Sequence, residues 1–177
     1  MVAEGRRRKP VDIADAMTEA NMKLLQRVGI CSLTEHSDNI LMWSHYASSH
    51  TGLCLGFEPS LEAIDFACAF EVIYRQDRPT INLIRKGQGE ELLEKILLTK
   101  AADWSYEREW RMINQDIESR LRHFPPVALK EVILGSRITD HAKAEIIAAT
   151  KASSSKPAIF QAIPSRSTFS LTIRKLS

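Results

Sequence analysis

Two short stretches of this 177-residue chain carry most of the side chains able to do chemistry. The first, WSHYASSHTGLCLGF (43–57), places Trp43, Ser44, His45, Tyr46 and His50 within eight residues. The second, KAADWSYEREWR (100–111), holds Lys100, Trp104, Tyr106, Glu107, Glu109, Trp110 and Arg111, and the two stretches contain all three tryptophans. Burying Trp, Tyr, Glu and Arg side by side demands a partner for every N–H, hydroxyl and charge, so such stretches are expected to meet in one networked pocket.

Glu107 and Glu109 are one residue apart. On a strand, a period of two puts both on one face with Arg111, and Trp110 on the other. Two carboxylates so placed should repel and raise one pKa, an arrangement suited to acid/base work. A Glu-x-Glu where a strand begins also resembles the catalytic motif of ADP-ribosyltransferase-like enzymes. That resemblance implies glycosyl transfer or glycosidic chemistry on a nucleotide such as NAD, with NAD as substrate and no certain cofactor. Glu109 would hold the nicotinamide ribose and stabilise an oxocarbenium-like transition state, with Glu107 as its auxiliary and His45 and Tyr46 placing the substrate. Trp43, Lys100, Trp104, Tyr106 and Arg111 are the remaining candidate binding residues.

Three other readings stand beside this one. Glu107 and Glu109 can simply pair with Arg108, Arg111 or Lys100 and lock the start of the strand. The same cluster can bind a nucleotide, nucleic acid, peptide or partner protein without reacting, with Trp104 and Tyr106 stacking bases and Lys100, Arg108 and Arg111 near phosphate. A metal-dependent hydrolase would draw on His45, His50 and a glutamate. That spacing does not suit one helix face, no HExxH or CxxC supports it, and His45 reads better as a hydrogen-bonded core residue than as a metal ligand. Ser44 beside His45 is no triad, because adjacent helical residues point apart. No G-x-S-x-G, phosphate-binding glycine loop or dinucleotide fingerprint occurs, which disfavours ATP, GTP and Rossmann-type NAD binding.

The elements that must position these residues follow from periodicity and punctuation. Residues 11–27 read as a helix, 29–35 as a strand, and 36–39 as a turn in which Asp38 or Asn39 caps a short, buried helix over 40–48. His50, Thr51 and Gly52 break it before a buried strand at 53–58. A short helix opens at Pro59, and 67–75 is strand-like, with Phe70, Val72 and Tyr74 on one face. Residues 79–103, including Lys100, have helical spacing split by Gly87 and Gly89. Strand 109–115 follows, then a proline-started turn and a strand over 124–135, a helix 140–152 capped by Thr139, a solvated SSSKP loop and a C-terminal hairpin. The sum is one α+β domain over 11–177, with a mixed, largely antiparallel sheet of about six or seven strands and inserted helices.

WSHYA followed by H-x-G-x-C-x-x-F, then K-x-x-x-W-x-Y-E-x-E-W-R, resembles an uncharacterised bacterial family, domain of unknown function 2971. FPPVALKEVILG and the helix and strand after it are similar to that family's C-terminal part, so the resemblance runs from about Gly29 onward. Members usually begin with a tyrosine- and arginine-containing strand and an asparagine/aspartate/proline motif. Neither precedes residue 29, so a shortened member is expected. The family implies no established activity, and the occurrence of some members among phage-resistance genes implies a link to phage defence.

Charge and composition bound the rest. Lys and Arg number 24 against 22 Asp and Glu, a net +2. Residues 1–10 carry four positives and one negative, leaving 20 against 21 over 11–177. The basic character thus belongs to an N-terminal segment, expected to be a flexible tail, on a nearly neutral body, which excludes a polycationic surface as the basis of function. No apolar run approaches a membrane span, and the opening residues, basic with no apolar run behind them, do not read as a secretory signal. The odd, unpaired Cys31, Cys54 and Cys68 read as buried thiols of a cytoplasmic protein. The apolar stripe of helix 11–27 makes a homodimer plausible.

Overall fold

A computed structural model describes residues 15–16, 18–20, 23, 25–81, 94–114 and 123–176. The basic segment 1–10, much of helix 11–27 and the glycine break at 87–89 lie outside the described residues; within 11–27, residues 15–16, 18–20, 23 and 25 are helical.

Besides the helical residues within 15–25 and at 94–97, which adjoin residues outside the description, the helices are α1 (Ile40–Tyr46), α2 (Ile64–Ala67) and α3 (Asp140–Ala152), with 3-10 segments η1 (Leu61–Ala63), η2 (Ala102–Glu107) and η3 (Pro126–Ala128). The strands are β1 (Gly29–Thr34), β2 (Leu53–Phe57), β3 (Phe70–Glu71), β4 (Ile73–Arg75), β5 (Thr99–Ala101), β6 (Glu109–Asn114), β7 (Leu129–Leu134), β8 (Ala158–Pro164) and β9 (Leu171–Lys175). They form a sheet β1-β6-β3, a sheet β2-β7-β8-β9 and a pair β4-β5. Among the described residues only β7–β8 and β4–β5 run parallel. The α+β class and the mixed, largely antiparallel pairing are as expected, but the strands divide among three sheets rather than one.

Among the described residues the strands number nine, because the 67–75 run is divided and β5 forms where helical spacing was read. Phe70 and Glu71 pair with β6, the Val72 N–H donates to Glu109 O at 2.9 Å, and from Ile73 the chain pairs with β5 instead. Val72, at the switch, is buried, while Phe70 is exposed. The helical spacing read through 79–103 also stops early. Residues 94–97 are helical, but Lys100 lies on β5, opposite Tyr74 of β4.

Helix α1 sets the core of the four-stranded sheet. Trp43 and Ala47, one turn apart on the same face, pack on Ile133 of β7, Ala162 of β8 and Leu171 of β9. The Trp43 Nε1–H is satisfied by Ser37 O at 2.7 Å. With seven residues α1 offers the sheet little more than this one face, so the expected all-round burial does not occur: Leu41 and Tyr46 are exposed. Strand 53–58 is likewise half-exposed rather than buried, because β2 is the edge of its sheet. The cysteines follow the same logic. Cys31 on edge strand β1 and Cys68 after α2 are exposed, and Cys54 is half-buried, with burial pushing its thiol pKa up.

From α1 to β2 the chain passes through three successive left-handed non-glycine residues, Ser48, Ser49 and His50 (φ 49°, 53° and 70°). Each costs about 1–2 kcal/mol. Hydrogen bonds hold them: His50 N–H to Trp43 O (3.2 Å) and Gly52 N–H to Ala47 O (2.9 Å) on the helix side, and Arg137 N–H to His50 O (3.0 Å) and Gly135 N–H to Gly52 O (2.9 Å) on the sheet side. The C-terminal elements fall where local signals place them. Thr139 Oγ1 accepts from the Ala142 N–H at 3.3 Å to cap α3, and β8 and β9 form the hairpin. No helix among the described residues is long and apolar enough to cross a membrane.

Candidate functional site

Asn39 ties the two chemistry-bearing segments together. Its Oδ1 caps α1 by accepting from the Leu41 and Met42 N–H groups (2.9 and 3.3 Å), and its Nδ2 donates to Tyr106 O at 3.1 Å. Thr34 on β1 adds a second link, donating to Glu107 O at 2.6 Å. The last turn of α1 therefore lies against η2 and the start of β6.

Glu107 and Glu109 do approach one another, though not as alternate residues of one strand. Glu107 ends η2, Arg108 turns the chain through the left-handed region (φ 45°, ψ 54°), and β6 begins only at Glu109. Both carboxylates converge on Lys100, which donates to Glu107 Oε2 and, at 2.9 Å, to Glu109 Oε2. Arg111 reaches Glu109 from the other side, Nε to Oε1 at 2.8 Å and Nη2 to Oε2 at 3.1 Å, while its Nη1 donates to Leu97 O. Tyr46 on α1 donates its hydroxyl to Glu107 Oε1 at 2.8 Å. The Glu109 backbone N–H donates to Tyr74 Oη at 2.9 Å. Two carboxylates thus meet two cations, and Glu107 and Glu109 are 2 % and 5 % exposed.

Electrostatics follow the pairing. Burial alone would raise the Glu109 pKa, but hydrogen bonds from Arg111, Ser32 and Lys100 outweigh it and lower it from the ordinary 4.5 to about 2. The expected upward shift from carboxylate repulsion therefore does not arise at Glu109, because cations separate the acids. Burial opposes the charge on Lys100, but hydrogen bonds to Glu107 and Glu109 prevail and raise its pKa. The Tyr46 pKa is raised first by its hydrogen bond to the Glu107 carboxylate and then by burial.

A group ionised more readily in the folded state than in the unfolded one stabilises the fold above its unfolded pKa, and that stability is lost as pH falls through the folded value. Glu109 should contribute on the order of 3 kcal/mol at neutral pH, declining between about pH 4.5 and about pH 2. Glu109→Gln is therefore expected to be markedly less stable than the native chain at pH 7, with the gap closing below pH 4.5. Urea unfolding from pH 7 to pH 3 checks this, and a gap independent of pH would contradict it.

Above this buried layer lie rings. His45 stands edge-on to Tyr46 (6.1 Å between centroids) and to Trp104 (5.9 Å), and Trp104 lies 6.0 Å from Tyr106. Lys100 Nζ sits 5.3 Å from the Trp104 ring centre. Tyr46 is 62 % and Trp104 37 % exposed, and His45, expected inside the core, is exposed as well. Its position on the outer face of a one-sided helix accounts for this. Trp43 alone of the candidate binding residues is turned away, into the sheet core. Arg108 leaves the cluster to pair with Glu35 (3.3 Å), which also accepts from Trp110 Nε1 at 2.8 Å. The bonds from Trp110 and then the Arg108 charge hold Glu35 below the usual carboxylate pKa.

Sequence reasoning missed Asn39 as a joint between segments, Thr34, Ser32 and Tyr74. It weighed Ser44 only against its neighbour His45 and missed its contact with His50, Oγ to Nε2 at 2.9 Å. The six-residue separation carries a signal only once the left-handed turn at 48–50 is known. Among the described residues no three His, Cys, Asp or Glu side chains gather as metal ligands. Two cavities, of about 550 and 330 Å³, are lined by residues from Ser136 onward and not by the Glu107–Glu109 cluster.

Both chemistry-bearing segments lie wholly within one family match. Residues 42–112 match the family described as Protein of unknown function (DUF2971). The chain resembles the DUF2971 family over this stretch, which takes in α1 from Met42 onward, the exposed rings and the whole Lys100–Glu107–Glu109–Arg111 network. It ends before FPPVALKEVILG, the part expected to resemble the family's C-terminal region. Comparison with curated proteins and with solved structures found no match.

Proposed function

We propose that the DUF2971 stretch is a ligand-binding module. In this reading the exposed rings of His45, Tyr46 and Trp104 receive a planar heterocycle of the nucleobase or nicotinamide type. Lys100, Arg111, Glu107 and Glu109 form the neutral clamp that holds those rings in place. One observation carries the reading: the carboxylates are sealed, 2 % and 5 % exposed, and matched by two cations, while the aromatic side chains beside them face solvent. A balanced network leaves no surplus cation for phosphate, so a ring is the better fit. Stacking of one base on an aromatic platform contributes about 1–3 kcal/mol.

Glycosyl transfer on NAD would require Glu107 or Glu109 to face the sugar. What supports that reading is the Tyr46 hydroxyl, which links an exposed ring to the buried Glu107 carboxylate. A role in phage defence rests on the family resemblance alone.

Calorimetry with adenosine, nicotinamide and NAD tests the module. Binding should weaken roughly 5- to 150-fold in Trp104→Ala and persist in Tyr46→Phe, which keeps the ring and loses the bond to Glu107. No binding of any of the three, or equal binding by Trp104→Ala, would sink the proposal. Nicotinamide release from NAD that disappears in Glu109→Gln would replace it with transferase chemistry.

A further inference from the structure

The larger cavity, about 550 Å³, lies far along the chain from the aromatic site, where the side of α3 meets the ends of β8 and β9. Its size falls within the roughly 300–1,000 Å³ typical of small-molecule sites. Four lysines line it: Lys143 and Lys151 of α3, Lys156 of the following turn and Lys175 of β9. No acidic residue lines it. Near the start of α3, Glu145 faces His141 at 3.6 Å, and Asp140 lines the smaller cavity, which Lys143 also borders.

The floor is apolar, made by Ile147, Pro157, Ile159 and Leu176. Lys143, Ile147 and Lys151 are spaced four apart and so share one face of α3, with an apolar residue between two ammonium groups. Lys156 is held in the left-handed region at φ 44°, a conformation non-glycine residues rarely adopt. Among the described residues one of the four has a hydrogen-bonded side chain, Lys143, which donates to the neutral Gln161 Oε1 at 3.0 Å.

Lysines near a helix C-terminus often do no more than offset the helix dipole. That dipole amounts to about half a negative charge and acts over the last turn. Four unit positives exceed it several-fold, and Lys143 stands two turns before the end of α3.

We propose that this cavity binds a small, soluble organic phosphate, its dianionic group among the four ammonium groups and its apolar body on the Ile147–Pro157–Ile159–Leu176 floor. A phosphate fits better than a carboxylate. It carries about two charges and three strong acceptor oxygens, enough to engage several flexible lysines at once, and no guanidinium fork lines the site to favour a planar carboxylate.

The test uses the full chain with three probes: 1-naphthyl phosphate, 1-naphthol and inorganic phosphate. Calorimetry should show 1-naphthyl phosphate binding more tightly than either part alone and weakening as salt rises. Lys151→Ala/Lys156→Ala should lower its affinity roughly tenfold, with Lys130→Ala, on β7 and paired with Glu58 at 3.3 Å, unchanged. The proposal is overturned if 1-naphthyl phosphate does not bind, if the double variant binds it equally, or if the chain sediments with phosphatidate vesicles while ignoring the soluble probe.

Discussion

Replacing Lys100 with methionine is expected to destabilise the fold by about 3–5 kcal/mol, the cost of stranding buried charge. Lys100 donates to both Glu107 and Glu109, and its own side chain is only 21 % exposed. Without it Glu109 retains Arg111, but Glu107 is left with the Tyr46 hydroxyl alone for its carboxylate. Domains of this kind have about 5–15 kcal/mol of total stability, so the variant would stand near the edge of folding. Lys100→Met/Glu107→Gln should recover at least half of the loss, because what remains is the balanced Arg111–Glu109 pair. Urea unfolding of both variants at pH 7 decides the matter. If the double variant is as unstable as the single one, the loss comes from packing of the lysine stem and not from charge.

Gly135→Ala is expected to cost at least about 3 kcal/mol, beyond the usual range for adding one methyl group to a packed site. A Cβ at position 135 would lie 2.6 Å from Gly52 O and closer still to His50 O. Both obstacles are backbone carbonyls, and both are engaged: Gly52 O accepts from Gly135 N–H and His50 O from Arg137 N–H. Neither can retreat without losing a hydrogen bond and disturbing the left-handed turn at 48–50. For a chain of 177 residues the melting temperature should fall by roughly 6–12 °C. A thermal melt within about 2 °C of the native chain would show that the 50–52 turn does not press on Gly135.

What could be read in the sequence was whatever local chemistry decides. Thr139 with its following acidic first turn, the double proline before β7 and the Ser-rich turn between β8 and β9 act within a few residues, and those elements stand where they were expected. The meeting of the two segments was also legible, since so many buried polar groups require one another. Lys100 was misread because helical spacing continues past residue 97 with no glycine or proline to stop it. Only pairing with β4, 26 residues earlier at Tyr74, makes it a strand. The left-handed Arg108 had no glycine or asparagine to announce it, so Glu107 and Glu109 looked like one strand face. Exposure was least legible. Whether Tyr46, Cys31 or Leu55 faces water depends on which strand is an edge and how little of α1 the sheet covers, and both are tertiary facts.

The Lys100–Glu107–Glu109–Arg111 quartet also bears on how such a segment can change over generations. Each member satisfies charge on another, so a lineage that loses one inherits an unpaired ion and must restore it or lose the partner too. Substitutions there are epistatic by construction: two that are tolerable together are damaging singly. A signature dense in Glu, Lys and Arg can therefore be handed down as a block because its parts depend on one another, whether or not any of them touches a reacting atom.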